Sequence, residues 1–396
     1  MAQAPLKYPI GIQDFSKLRT NGYVYIDKTA LIYEIANLDQ CIFLSRPRRF
    51  GKSLLLTTIE EYFKGHKELF AGLKVDSLEK DWKSYPVMHF DFNATGNINL
   101  SNINDYLHDK LSAYAKQYGI EISPILKDAG ARFGNLIEQI SRQQGQGVVI
   151  LIDEYDKGLL AYLSDDKELE KMQDFLRGFF SQLKAQDKYI RFAMLTGVAR
   201  FQHLSIFSDL NNLTDISMDY RYATICGITQ AEAHEYLRDG IDRMATASGC
   251  GYDEMVGVLK QKYDGYRFSK AEEKVFNPFS LLNALDKHEL GSYWVMSGTS
   301  KIFIEYLSQS NISELLTDWY SEKELAGGYD NNDPVPCLYQ AGFLTIFKEQ
   351  SGFFLLSIPN DEIKEAVSHP IPFPINQQSK SLSTTHTIDK WAYTKI

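Results

Sequence analysis

Residues 41–53 read CIFLSRPRRFGKS, and this stretch decides the fold that we expect. The apolar run at 41–44 predicts a buried strand, and the apolar spacing over 54–63 predicts a helix. Between them, Gly-Lys-Ser at 51–53 supplies the order of strand, loop and helix that a phosphate-binding loop requires. Backbone N–H groups at the start of such a helix point toward an anion, and the helix dipole favours its negative charge. The sequence therefore predicts phosphate binding here.

We call residues 46–51 the phosphate loop, and its positions predict which residues contact a nucleotide. Lys52 is expected to reach the β and γ phosphates, and the Ser53 hydroxyl is expected to hold Mg²⁺. Arg48 and Arg49 either add phosphate contacts or order the loop by pairing with acids. The residues predicted to bind the cofactor ATP are Arg46, Arg48, Arg49, Phe50, Gly51, Lys52, Ser53 and Leu54.

Position 46 departs from the usual phosphate-loop pattern, G-x-x-x-x-G-K-S/T. Arg46 stands where that pattern has its first glycine. The alternative is a basic surface turn that leads into a helix. Because short motifs also match by chance, the loop needs a chemical partner elsewhere in the chain.

That partner is an acidic pair after a second buried strand. Residues 148–152 are continuously apolar, which is typical of a strand buried on both faces, and Asp153 and Glu154 follow directly. In nucleotide hydrolases an acid at such a strand end supports the metal, so we expect Asp153 to share Mg²⁺ with Ser53. Glu154 is expected to orient the attacking water. The alternative is that the two acids only end the strand and cap the next element.

Two further candidates follow the strand predicted over 189–195. Thr196 ends this strand and either contacts the γ-phosphate or the attacking water, or hydrogen-bonds its own turn. Arg200 either stabilises charge on the phosphate, within this chain or toward a neighbouring subunit, or is an exposed, solvated arginine. The predicted catalytic residues are therefore Glu154, Lys52, Thr196 and Arg200.

Strands alternate with helical patterns as far as about residue 228, which predicts a parallel sheet covered on both faces. The other strands predicted for this region are a short one at 23–26 and those at 86–92 and 222–228. Helical patterns then dominate, including 300–308 and 311–320, and a hairpin is expected from 343–347 and 353–358. The fold class is α/β: a P-loop NTPase parallel sheet with helices on both faces, followed by a smaller, mainly helical, winged-helix-like domain. We divide the chain into 1–228, 229–367 and a tail at 368–396.

Composition excludes several classes of protein. The chain has 396 residues and a net charge of −9, which argues against coating nucleic acid along its whole surface. Its four cysteines form no C-x-x-C pair, and its histidines show no metal-ligand spacing. No apolar run reaches the roughly 18 residues of a membrane span, and the N-terminus lacks a secretion signal. We therefore expect a cytoplasmic protein with no membrane partner.

Several stretches, in order over roughly residues 8–360, resemble one bacterial family. They are 9–15, 25–29, 44–53, 151–156, 195–201, 205–213, 263–268 and 277–280. The family is that of AAA-ATPase-like proteins, whose longer members carry a C-terminal PD-(D/E)XK-type nuclease domain. The resemblance implies an ATP-binding core with Mg²⁺, followed by a helical lid or winged-helix-like region, and it makes Arg46 a family trait.

The nuclease part of that family has no counterpart that we recognise here. Such a domain needs an Asp and a Glu-x-Lys on adjacent strands to bind Mg²⁺, and no such pair follows Ile358. We expect a chain that retains only the ATPase part. The leading hypothesis is ATP binding with Mg²⁺-dependent hydrolysis. Its alternatives are a nucleotide-gated interaction switch with little turnover and a DNA-associated ATPase subunit; a DNA or protein partner and a homo-oligomer stay open.

Overall fold

The computed structural model describes residues 6–38, 41–96, 98–163, 165–200, 212–297, 316–327 and 333–368. Five strands form one sheet, in which every neighbouring pair is parallel. They are β1 Cys41–Ser45, β2 Val87–Asp91, β3 Val148–Asp153, β4 Ile190–Gly197 and β5 Leu213–Asp215. Their order is β2-β3-β4-β1-β5. The predicted parallel sheet is confirmed.

All residues of β1 and β3 are buried, because helices cover the sheet and leave no solvated face for polar residues to occupy. The register aligns Leu44 of β1 with Thr196 of β4, and Asp91 of β2 with Asp153 of β3. Carboxyl ends of neighbouring strands therefore meet at one edge, which is where ligands bind in open α/β sheets.

The helices of the first half follow the apolar spacing of the sequence. They are α1 Phe15–Thr20, α2 Thr29–Ala36, α3 Lys52–Phe63, α4 Lys74–Leu78, α5 Leu100–Tyr118, α6 Ala129–Gln144, α7 Lys157–Leu160 and α8 Asp166–Ala185. The side chain of Asp165 caps α8, whose buried stripe packs against α6. Phe133 and Phe179 stack across this contact with ring centroids 4.4 Å apart.

The second half is mainly helical. Its helices are α9 Gln230–Ser248, α10 Tyr252–Tyr263, α11 Pro278–Lys287, α12 Tyr293–Met296, α13 Glu322–Leu325, α14 Val335–Ala341 and α15 Asp361–Ser368. Its strands are β6 Ile228–Thr229, β7 Val275–Phe276, β8 Trp319–Ser321, β9 Thr345–Gln350 and β10 Phe353–Ser357. The expected hairpin is confirmed as β9 and β10, and β8 pairs with β10.

The strand predicted over 222–228 is wrong. Tyr222 ends a short 3-10 turn, and Gly227 has a φ of 94°, so the chain cannot extend through this segment. The apolar residues of 222–227 are buried because they pack on the core as turns and bends, and only Ile228 at the end of the stretch joins a strand, β6. The fifth strand is β5 instead.

Part of the predicted organisation lies beyond what the structure describes. The helix expected at 300–308 and the tail at 369–396 fall outside the described residues, as does 311–315 of the helix expected at 311–320. Residues 319–320 of that same prediction belong to β8 and not to a helix. The division into 1–228, 229–367 and a tail stays a prediction.

Candidate functional site

The phosphate loop joins β1 to α3 through two residues with positive φ. Gly51 has a φ of 95°, which glycine adopts without strain, and Arg49 has a φ of 67°. The amine of Lys52 folds back over the loop and donates to the carbonyl oxygens of Arg46 at 2.9 Å and Pro47 at 3.1 Å. Phosphate oxygens are stronger acceptors for a charged amine than these carbonyls, so an arriving phosphate competes well for Lys52.

A cavity of about 500 Å³ opens beside the phosphate loop, and we call it the front cavity. Its walls come from the N-terminal segment, the phosphate loop, the start of α3, the segments after β2 and β3, and the start of α11. Four cations and one carboxylate line it: Arg48, Arg49, Lys52, Lys157 and Glu154. This excess of cations, in a chain whose net charge is −9, favours an anionic occupant.

The front cavity brings together most of the residues predicted to contact nucleotide. They are Arg48, Arg49, Gly51, Lys52, Ser53, Leu54 and Glu154. Ser53 and Leu54 belong to the first turn of α3, whose backbone N–H groups have no acceptor within the helix. An anion bound at this helix start would accept hydrogen bonds from those groups and meet the positive end of the helix dipole.

Asp153 ends β3, and Glu154 follows it on the wall of the front cavity. Asp153 is buried, and its Oδ1 accepts hydrogen bonds from the hydroxyl of Thr196 at 2.6 Å and from the N–H of Glu154 at 3.1 Å. Glu154 has a φ of 50°, a left-handed conformation that costs a residue with a Cβ roughly 1–2 kcal/mol. The fully buried Thr196 thus contacts Asp153, while the strained turn holds Glu154 at the cavity.

A third carboxylate adds negative charge at the strand ends. Burial raises the pKa of Asp91, and the charges of Asp153 and Glu154 raise it further. Repelling carboxylates are stabilised by a cation, and Mg²⁺ is commonly held by one or two carboxylates, hydroxyls and phosphate oxygens. Within the described residues, no cluster of three or more His, Cys, Asp or Glu side chains forms a metal site by itself. Ser53 on the cavity wall and the buried Asp153 carry the kinds of oxygen that Mg²⁺ binds.

The sequence matches a family model described as "Predicted AAA-ATPase" over residues 9–207. A relative from Azotobacter chroococcum mcd 1, described as an uncharacterized protein in the vnfD 5' region, is 34% identical over 377 residues. That alignment covers 92% of this chain and 70% of the relative. The chain belongs to the predicted AAA-ATPase family.

Among solved structures, this family member is similar to the ORC2 protein of Aeropyrum pernix, determined in ADPNP–ADP complexes. The identity is 12%, the match covers 86% of this chain and 91% of that one, and the TM-score is 0.32. The fold is defined by the five-stranded sheet itself. No helix among the described residues is long and apolar enough to cross a membrane.

Two arginines that were predicted to contact phosphate lie behind the phosphate loop of this AAA-ATPase family member. Arg46 is 1% exposed; it donates to the carbonyl of Ser217 at 2.7 Å and lies over the ring of Phe268 at 4.3 Å. Arg200 pairs with Asp215 at 2.6 Å. Both arginines line a space of about 20 Å³, which we call the rear cavity. The side chain that replaces the loop glycine thus contacts the protein's own backbone.

Phe50 is buried and lines an apolar slot of about 90 Å³ next to the front cavity. The slot and the front cavity share five walls, which are Pro9, Gly51, Leu54, Pro278 and Leu282. The other apolar walls of the slot include Val24, Ile26, Ile32, Leu55, Ile225 and Ile228. The site of this AAA-ATPase family member therefore offers a charged space and an apolar space side by side.

The C-terminal half contacts the phosphate loop directly. The indole Nε1 of Trp294 donates to the carbonyl of Arg48 at 2.9 Å, and the Trp294 backbone N–H donates to the Glu362 carboxylate at 2.8 Å. The hydroxyl of Ser280 donates to the other Glu362 oxygen at 2.8 Å. Burial raises the pKa of Glu362 to about 7. A series of contacts from α15 through α12 therefore ends on the loop.

Several cavity residues were not identified from the sequence. Lys157 lies three residues after Glu154, so one helical turn of spacing was the available signal. Asn93 carried no signal, because nothing in the sequence connects the end of β2 with the phosphate loop. Residues 9–13 and Pro278 entered only as parts of the family resemblance, and both lie on the cavity wall.

Proposed function

We propose that this protein binds ATP with Mg²⁺ and hydrolyses it. The observation that carries the proposal is the front cavity, which Lys52 and Ser53 at the start of α3 line together with Glu154. The cations of the cavity suit a polyphosphate, and the adjoining slot suits the flat apolar faces of a base. Membership of the predicted AAA-ATPase family supports the same chemistry.

Each residue then has a role in the reaction. Lys52 and the first N–H groups of α3 bind phosphate oxygens, while Ser53 and Asp153 would hold Mg²⁺. The metal, when bound, neutralises charge that develops on the phosphates. Glu154 orients the attacking water and accepts its proton. Thr196 fixes the Asp153 carboxylate through the 2.6 Å hydrogen bond.

Steady-state phosphate release by Lys52→Ala and Glu154→Gln tests the proposal. We expect Lys52→Ala to lose both nucleotide binding and turnover, because it removes the central phosphate cation. Glu154→Gln should still bind but release phosphate about 100-fold more slowly, as for the loss of a general base. Lys116→Ala and Glu170→Gln, at exposed helical positions, are the matched controls and should behave as wild type. Equal rates in all five proteins would refute hydrolysis.

A nucleotide-gated switch with little turnover is the second candidate function. The hydrogen bond from Trp294 to the Arg48 carbonyl favours it, because a loop that moves on nucleotide binding would disturb the C-terminal helices. This function predicts tight ATP binding, negligible phosphate release and a nucleotide-dependent change in sedimentation. Rapid steady-state hydrolysis by wild type would count against it.

A further inference from the structure

Lys157 is a cation of the front cavity to which the proposed mechanism assigns no role. It begins α7, and its backbone N–H donates to the carbonyl of Glu154 at 3.1 Å. The same turn therefore presents both side chains, and both line the front cavity.

The amine of Lys157 is held by a neutral partner. It donates to the side-chain oxygen of Asn93, whose backbone N–H is fixed by the Asp91 carboxylate at 2.8 Å. No carboxylate in the described part of the chain forms an ion pair with Lys157. An ammonium group has three donors, and a partly buried one is normally matched by negative charge. The site thus holds a positive charge in place without neutralising it.

We propose that Lys157 binds the terminal phosphate of a nucleoside triphosphate and that Asn93 positions it. The inference rests on the proposed function. Glu154 orients water for attack on the terminal phosphate, so this end of the bound chain lies near Glu154. Lys157 lies three residues after Glu154, across one hydrogen-bonded turn, and reaches the same phosphate, whereas Lys52 and the start of α3 hold the phosphates closer to the base. A diphosphate lacks the group that Lys157 binds.

Equilibrium binding of ATPγS and ADP, both with Mg²⁺, to the full chain tests this assignment. Lys157→Met should weaken ATPγS binding about tenfold, the size of one lost hydrogen bond to a charged group, and change ADP binding less than about twofold. Lys157→Arg keeps the charge and should restore most of the ATPγS affinity. Asn93→Ala should give a smaller selective loss, because the amine remains but is no longer held. Lys116→Met is the matched exposed control.

The results of this binding experiment distinguish the role of Lys157 from the proposed function. Unchanged ADP binding shows that Lys157→Met is folded with its base and inner phosphate sites intact. Equal weakening of both nucleotides, or of neither, would overturn the role of Lys157 and leave the proposed function standing. If wild type binds neither nucleotide while Lys52→Ala behaves identically, the proposed function falls, and this inference falls with it.

Discussion

Cationic side chains lie on both the front and the rear of the phosphate loop, but their partners differ. At the rear, Arg46 is buried against backbone carbonyls and an aromatic ring, and Arg200 is paired with Asp215. At the front, the exposed Arg49 lies over the ring of Phe279 at 5.0 Å, and Lys157 donates to the side-chain amide oxygen of Asn93. Arg46 and Arg200 thus contact other parts of the protein, whereas Arg49 and Lys157 line the open front cavity.

This difference distinguishes cations that stabilise the fold from cations that are available to bind an anion. Arg46 is buried, and two of its nitrogens donate to backbone carbonyls, so a ligand would have to enter the core and break those hydrogen bonds to reach it. A cation that lines a cavity without a carboxylate partner retains its attraction for an anion. Charge alone therefore does not identify the phosphate-binding residues of an arginine-rich loop. Lys52 also donates to backbone carbonyls, but it lines the open front cavity, whereas Arg46 is enclosed.

The largest effect that this comparison predicts is on stability at the rear. Arg46→Ala leaves the carbonyls of Ser217 and Tyr222 without their donor and empties a buried site, so the free energy of unfolding should fall by about 3–5 kcal/mol. Urea unfolding measures this change. Arg142→Ala, which removes an exposed guanidinium with a neighbouring Glu138, is the control and should cost less than about 1 kcal/mol. A similar loss of unfolding free energy in both variants would contradict the conclusion that Arg46 stabilises the fold.

A smaller effect on stability is expected from Glu362, which contacts Trp294 and through it the phosphate loop. Because the pKa of Glu362 is raised from 4.5 to about 7, the folded protein keeps a proton that the unfolded chain has released between these values. Stability from this group therefore falls as the pH rises from about 4.5 to 7 and then levels, by roughly 2–3 kcal/mol. Glu362→Gln does not titrate and should lose this slope.

Urea unfolding of wild type and of Glu362→Gln is measured at pH 5 and pH 8. The difference between the two pH dependences gives the contribution of Glu362, because the other titrating groups are the same in both proteins. The variant should gain stability relative to wild type at pH 8. An identical pH dependence in the two proteins would show that Glu362 is ionised throughout.

The smallest effect on stability is expected at the front. Arg49→Ala removes an exposed guanidinium and should change the free energy of unfolding by less than about 0.5 kcal/mol. Its ATPγS affinity should nevertheless fall several-fold, because a cation of the cavity is lost. Urea unfolding and nucleotide titration on the same sample give both numbers. A variant that unfolds as easily as Arg46→Ala would place Arg49 with the supporting residues.

Contiguous signals in the sequence predicted most of the fold. The strand before the phosphate loop, the helix after it and the buried strand ending in Asp153 each lie within one short stretch, so periodicity and motif order were sufficient. The strand predicted at 222–228 failed because burial of a coil and burial of a strand leave the same apolar run. The true fifth strand, Leu213–Asp215, is a short edge strand with half-buried residues, which leaves almost no pattern.

The candidate site was predictable only where its residues follow a motif. Lys52, Ser53 and Glu154 carried such a signal, and all three line the front cavity. No motif indicated which way the Arg46 side chain points. Its partners at 217 and 222 are far along the chain, and only folding brings them together. Asn93 was hidden for the same reason.

The hydrogen bond from Trp294 to Arg48 joins residues that are 246 positions apart. A gene cut after β5 would encode the whole parallel sheet and the phosphate loop, yet leave the Arg48 carbonyl without its indole donor. A sheet cut off in this way would therefore lose a contact that its phosphate loop makes in the whole chain. A shortened or rearranged gene keeps this hydrogen bond only if it includes the sequence through α12. It also has to include Glu362, which keeps Trp294 in place.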